Sequence, residues 1–199
     1  MALEKLDTEV RKEQIVEAAL SLIATHGVRG LSMGSLARRV GLVPSALYRH
    51  FGSKQEIMQS AVQLVAQKAK QNLQEVKTLT PNSLERLELL VGWITRMIRE
   101  LQAMPRIVFS EGMSSGHPWA KQQAYEMLTG VLKGIEEIIC EGQEKGEIRQ
   151  DLEAKSLAVM FWGMTPASVI LWHMSDGQFD VTRQAGKSWE LFRDAIRAK

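Results

Sequence analysis

The chain has 199 residues, 45% of them hydrophobic, and a formal net charge of +2, which suits one large or two small packed domains with a real apolar core. Its single cysteine, Cys140, excludes an internal disulfide and fits a reducing cytoplasm. The charged start, MALEKLDTEVRKEQ, holds no apolar run, so no signal peptide is expected and the protein is expected to be cytoplasmic.

Strand signals are nearly absent and the pattern is all-α, about nine helices. Residues 8–26 place Ile15, Ala19, Leu22 and Ile23 on one face of a helix that ends near Gly27. Residues 31–57, LSMGSLARRVGLVPSALYRHFGSKQEI, read as two short helices joined by a tight turn and the start of a third. Ser32 is placed to cap the first of these, and Leu36 and Val40 give it an apolar stripe. Gly41 permits the left-handed backbone of a tight turn. Pro44 opens the next helix, where its missing N–H is no loss, and Leu47 and Phe51 face inward before that helix ends near His50. Ser53 and Glu56 form a capping box for the helix that follows. Helix, glycine turn, short helix is the helix-turn-helix arrangement, whose second helix enters the DNA major groove.

Charge supports that reading. From Ala18 to Gln55 the chain has no Asp or Glu, yet it carries Arg29, Arg38, Arg39, Arg49 and Lys54. An acid-free basic window in a nearly neutral chain is an electrostatic footprint for phosphates.

The helix beginning at Lys54 runs to about Val76 without Pro or Gly, roughly 30 Å or more at 1.5 Å per residue, so it is expected to bridge the headpiece to a second domain. The expected division is a headpiece, 1–53, and a helical C-terminal domain, 54–199. Pro81 is expected at the first position of a helix whose stripe is Leu84, Leu87, Val91, Ile94, Ile98 and Leu101. A long helix over 119–142 follows, with Leu128, Val131, Ile135, Ile138 and Ile139 inward and Gly142 and Gly146 closing it. Asp151 is expected to cap a helix reaching about Met174, and a last amphipathic helix spans about Val181 to Arg197. Leu157 to Met174 is apolar nearly all round, but it is short for a membrane span and is interrupted by Thr165, Pro166, Ser168 and His173. It is therefore expected to be buried on both sides, and Pro166 is expected to kink it.

Catalytic motifs are weak. Gly30–Gly34 and Gly112–Gly116 both match GxSxG, but that mechanism needs a strand-to-helix elbow in an α/β sheet. The four His are isolated and no CxxC spacing occurs, so no metal or other cofactor is expected. No basic residue is placed to activate Cys140, which reads as a small hydrophobe.

The run from Gly41 to Ile57, with Tyr48, Phe51 and Lys54 at its most specific positions, resembles the signature of the TetR family of bacterial transcriptional regulators, and the helix before it matches in length and closing glycine. The resemblance covers roughly residues 8–60 and implies a three-helix headpiece on a ligand-binding and dimerisation domain. One departure is visible: Gly34 and Ser35 stand where the family commonly has polar, often charged, residues. Tyr48, His50 and Lys54 match the family's phosphate-contacting positions, which fix register and read no sequence. Ser45 and Arg49 lie on or near the exposed face of the recognition helix, where Arg can pair with guanine, and Val43, Pro44 and Ala46 can meet thymine methyls. Ser32 and Arg38 complete the DNA-binding set.

By resemblance the C-terminal domain holds an inducer. Its Trp and Met content suits an adaptable apolar site as well as ordinary core. The candidates are Trp93, Met97, Phe109, Met113, Tyr125, Met127, Phe161, Trp162, Trp172 and His173, with Glu111 as a further polar group. Dimerisation is implied through helices about 152–174 and 181–197. The expected protein is a homodimeric repressor on a near-palindromic double-stranded operator, released by a small apolar or aromatic ligand, with no membrane partner and no catalysis. The alternative is a structural DNA-binding protein without an inducer.

Overall fold

A computed structural model describes residues 8–100, 118–175 and 177–198, and only the backbone at 98–100, 118–120 and 173. Among these residues there are nine helices: α1 Thr8–Gly30, α2 Met33–Arg39, α3 Pro44–Leu47, α4 Lys54–Leu79, α5 Ser83–Glu100, α6 Pro118–Glu144, α7 Ala154–Gly163, α8 Pro166–Met174 and α9 Val181–Ile196. The one β feature described is an isolated bridge between Ile148 and Arg197. Chain contacts divide the molecule into two compact units, with the division falling inside α4 between Ala66 and Gln67 and inside α6 between Ala124 and Tyr125.

Among the described residues the first unit holds α1 to α3, the first half of α4 and the opening turns of α6 up to Ala124. Ile15, Ala19, Leu22 and Ile23 are buried as their spacing requires, and Val16 and Leu20 join them. Gly27, at φ 71°, breaks the helical path within α1. Leu36, Leu47, Phe51 and Ile57 close the same core, so α2, α3 and the start of α4 are each pinned by one or two large apolar side chains.

The second unit holds a continuous core from α4 (Ala69, Val76), α5 (Leu87, Leu90, Val91, Ile94), α6 (Val131, Ile135, Ile138, Ile139), α7, α8 and α9. On α9, Val181, Ala185, Trp189, Phe192 and Ile196 form the buried stripe, and Asp180 caps the helix by accepting from the Arg183 N–H at 3.0 Å. Phe161 sits edge-on to both Trp189 and Phe192, at centroid distances of 6.2 and 5.9 Å. α6 ends as expected: Gly146 takes φ 71°, and the Glu147 and Ile148 N–H groups both return to the Gly142 carbonyl.

Three boundaries differ from the sequence expectation. Pro81 lies outside α5, because Asn82 takes the cap instead, its Oδ1 accepting from the Glu85 N–H at 3.0 Å. Asp151 does not cap α7; Arg149 engages both its carboxylate oxygens, at 3.0 and 2.6 Å, and Glu153 stands at the cap, its carboxylate accepting from the Ser156 hydroxyl and from no backbone N–H of the helix. Pro166 goes further than a kink. α7 stops at Gly163, the Thr165 hydroxyl donates back to the Trp162 carbonyl, and α8 starts afresh at Pro166. Ala154–Trp172 is long and apolar enough to cross a membrane by length and composition, but it is two helices with a break between, not one continuous span.

Candidate nucleic-acid interface

The turn between α2 and α3 fixes the geometry of the candidate interface. Gly41 adopts φ 68°; the Val40 N–H bonds the Leu36 carbonyl at 3.1 Å, and the Leu42 N–H reaches back to the Ala37 carbonyl at 2.8 Å. That six-to-one closure ends α2 and needs a residue without a Cβ clash at Gly41. At the other end of α2, Ser32 Oγ accepts from the Ser35 N–H and Ser35 Oγ accepts from the Ser32 N–H, both at 3.0 Å. Ser35, one of the two departures from the family pattern, thus supplies the second half of a capping box. The Ser32 hydroxyl, nominated for DNA and standing in a GxSxG match, is engaged as a helix cap; Gly112–Gly116 lies outside the described residues.

α3 is shorter than expected, Pro44–Leu47, with hydrogen-bonded turns carrying the chain to Phe51. Leu47 is fully buried and Phe51 nearly so. This holds the opposite side outward: Val43, Pro44, Ser45, Tyr48 and Arg49 are exposed and Ala46 is half-buried. Tyr48 is 53% exposed, so its ring is not spent on headpiece packing. Arg38 is also exposed. Arg39 donates to Ser21 Oγ at 3.0 Å, a tie between α2 and α1 that sequence spacing alone could not show. His50 is half-buried, and its Nδ1 is buried without a hydrogen-bond partner among the described residues.

Lys54 is more constrained than a surface phosphate ligand. Its ammonium donates to the Val28 carbonyl at 3.0 Å, and burial lowers its pKa below the usual lysine value. The capping box at the start of α4 forms with a shift: Ser53 Oγ accepts from the Glu56 N–H, but the Glu56 carboxylate accepts from Gly52 rather than Ser53. The arrangement brings an exposed helix start, a phenol and guanidinium groups onto one small module, which suits contact with a polyanion.

The ligand candidates in the second unit are not gathered in the same way. Phe161 is fully buried in the aromatic cluster and serves the core, whereas Tyr125 is 65% exposed. Trp93, Met97, Met127 and Trp162 are half-buried, and Trp93 and Trp162 pack against the core. Trp172 lies over Gly177, whose N–H bonds the Trp172 carbonyl at 2.8 Å. Phe109, Glu111 and Met113 fall outside the described residues, as does the side chain of His173. An open depression beside the Gly146 turn, lined by Ile148, Arg149, Gln150 and Asp151 among others, includes none of the candidates. Cys140 has a thiol pKa raised by burial and by Glu136 and Glu144, the opposite of an activated nucleophile.

Comparison with known proteins agrees with this geometry. Residues 15–61 match the family model described as bacterial regulatory proteins, tetR family. Residues 58–195 match the model for the C-terminal region of YsiA-like protein. The fatty acid metabolism regulator protein of Bacillus subtilis is 23% identical over 94% of this chain and 95% of its own. An HTH-type transcriptional repressor of Streptomyces coelicolor, SCO4008, is 27% identical over 83% and 81%. Among solved structures, the transcriptional regulator FadR from Bacillus subtilis in complex with stearoyl-CoA superposes with a TM-score of 0.75, at 23% identity, covering 93% of this chain and 99% of that one.

Proposed function

Because the chain belongs to the TetR family of bacterial regulatory proteins, we propose that it is a cytoplasmic, homodimeric repressor released from its operator by a long-chain acyl ligand. The observation that carries the DNA-binding half is the outward set Val43, Pro44, Ser45, Tyr48 and Arg49, held by buried Leu47 and Phe51 behind it. In this reading Tyr48, His50 and Lys54 meet phosphates, while Ser45 and Arg49 read base edges. Residues 1–53 are the DNA-binding headpiece, 54–199 form the effector and dimer domain, and α4 bridges them.

Dimerisation is assigned to α7, α8 and α9. Val159, Met160, Ile170, Leu171, Met174 and Leu191 on these helices are 47–79% exposed, half of the twelve exposed large apolar side chains among the described residues, and apolar exposure concentrated in this way marks an interface. A two-fold dimer would set two headpieces on successive major-groove half-sites. The acyl ligand is suggested by the fatty acid regulators of Bacillus that the chain resembles and by the half-buried Trp93, Met97, Met127 and Trp162. Ligand shifts the dimer toward the released state only as far as its affinity differs between the two states.

Fluorescence anisotropy on DNA from upstream of the protein's own gene, beside a scrambled duplex and across a salt series, tests the reading. A preference of about a thousandfold is expected, abolished by stearoyl-CoA. Equal, steeply salt-dependent binding to both duplexes, indifferent to the ligand, would favour a structural DNA-binding protein.

A further inference from the structure

Asn72 is a polar residue on an apolar face. It lies on α4 three residues after Ala69 and four before Val76, both in the core of the second unit, and helical spacing puts the three on one side. Asn72 is 9% exposed, and its Nδ2 is buried with no hydrogen-bond partner among the described residues. A buried amide donor without an acceptor is destabilising, so a side chain kept in that position calls for an explanation.

Helix register shows what surrounds it. Leu73 Cδ1 lies 2.6 Å from where a Cβ on Gly134 would stand, and Lys77 pairs with Glu137 and Glu141 at 3.2 and 3.4 Å. α4 and α6 therefore run in the same direction, with Asn72 near the level of Lys133. Ser83 Cβ lies 2.8 Å from a Cβ built on Gly142, and Arg86 bonds Glu141, so α5 runs opposite to α6. Counting about 1.5 Å per residue from that contact, Trp93 falls at the level of Leu132, and Met97 about one turn further along with Leu128 and Met127. The unpartnered amide thus shares its level of the bundle with the half-buried Trp93, and the half-buried Met97 and Met127 follow one to two turns further along.

We propose that Asn72 is the polar anchor of the effector site: its side-chain amide donates a hydrogen bond to the carbonyl oxygen of a long-chain acyl group whose hydrocarbon lies among Trp93, Met97 and Met127. This rests on the acyl-ligand reading above. A thioester and a free carboxylate both present the acceptor that the amide lacks, and an alkyl chain without a carbonyl does not. Loss of such a bond in apolar surroundings corresponds to roughly a tenfold loss of affinity.

The test is titration of the full-length protein, followed by tryptophan fluorescence and by release of operator DNA, with stearoyl-CoA, stearate and S-octadecyl-CoA, the thioether that lacks the carbonyl. Wild type is expected to bind stearoyl-CoA or stearate about tenfold more tightly than the thioether. Asn72→Leu and Asn72→Asp are expected to remove that difference, the first by deleting the amide and the second by keeping its shape without the donor. Unliganded Asn72→Leu is expected to melt no lower than wild type, which separates lost recognition from lost folding. Stearate binding as tightly as the thioester would assign the anchor to the acyl end alone; stearate binding only weakly, with the carbonyl preference intact, would assign it to the thioester. If wild type binds the thioether as tightly as stearoyl-CoA, and both release the operator, the anchor is overturned and the effector reading stands. Carbonyl discrimination that survives in Asn72→Leu also overturns it. If wild type binds none of the three, the acyl-effector reading falls and the anchor with it.

Discussion

Arg86 joins Glu141 across helices 55 residues apart in sequence, and the same guanidinium caps the end of a third helix. Its Nη1 donates to the Glu141 carboxylate, while Nε and Nη2 donate to the Thr80 and Lys77 carbonyls at 2.8 and 3.2 Å. Arg86 is 7% exposed, so these bonds tie α4, α5 and α6 where the first turns into the second. Arg86→Met is expected to lower stability by about 2–3 kcal/mol, less than for a fully buried pair because the Glu141 side chain is 37% exposed and can rehydrate. Chemical denaturation of the two proteins checks the value.

Burial alone would raise the Glu141 pKa, but the Arg86 hydrogen bond and the Lys77 charge outweigh it and hold the carboxyl below its ordinary value. A carboxyl depressed in the folded state adds stability above its unfolded pKa, and that stability is lost as pH falls through the folded pKa. Acid denaturation of Arg86→Met, or of Glu141→Gln, should therefore be less steep below pH 4 than in wild type. Parallel acid limbs would remove the pair from the pH dependence.

Arg49 and Lys54 should fail differently when truncated. Lys54→Ala is expected to weaken binding to every duplex and to lower the salt slope by about one. Arg49→Ala is expected to relax sequence preference, with a cost of about 1–3 kcal/mol on the operator. Because Lys54 also donates to the Val28 carbonyl, Lys54→Ala should in addition lower the melting temperature, a change not expected for exposed Arg49. An unchanged salt slope would leave Lys54 as a tie between α1 and α4 only.

Two glycines of α6 should respond in opposite directions to alanine. A Cβ on Gly130 meets nothing within 4 Å, so Gly130→Ala should stabilise by about 0.5–1 kcal/mol. A Cβ on Gly142 would stand 2.7 Å from Ile148 Cδ1 and 2.8 Å from Ser83 Cβ. Ser83 Cβ is fixed to the backbone of α5 and cannot swing aside, so overpacking of about 1–3 kcal/mol should exceed the gain in helix propensity. Thermal melts of the two variants decide the sign in each case.

Leu171→Arg tests the dimer assignment. Leu171 is 49% exposed, so the substitution should leave the fold of one chain within about 0.5 kcal/mol. Sedimentation should show a monomer, with operator affinity falling together with the dimer. A variant that stays dimeric would move the interface away from α8.

The headpiece was legible because its signals are local. Ser32, Gly41 and Pro44 act within four residues of themselves, and the buried set Leu36, Leu47 and Phe51 follows from spacing. Arg86 was illegible for the opposite reason, since its carboxylate partner is far off in sequence and a charged residue on a helix stripe reads as solvent-facing. Asp151 misled because a carboxylate before a helix can cap it or pair with a neighbour, and Arg149 two residues earlier decided the matter. Asn72 left a faint trace, a polar residue in step with Ala69 and Val76. Periodicity identifies that position, but only packing shows that the amide has no partner.

The lone cysteine bears on how motion in this protein can be followed. Its thiol is partly covered and faces the carboxylates of Glu136 and Glu144, so at neutral pH little of it is thiolate and alkylation should be slow. A cysteine introduced on an exposed part of the headpiece outside the DNA-contacting set, at Glu13 for instance, would react first with a maleimide dye. The native sequence is thus already suited to single-site labelling, and the displacement of one headpiece from its dimer mate can be read as a distance without first removing Cys140.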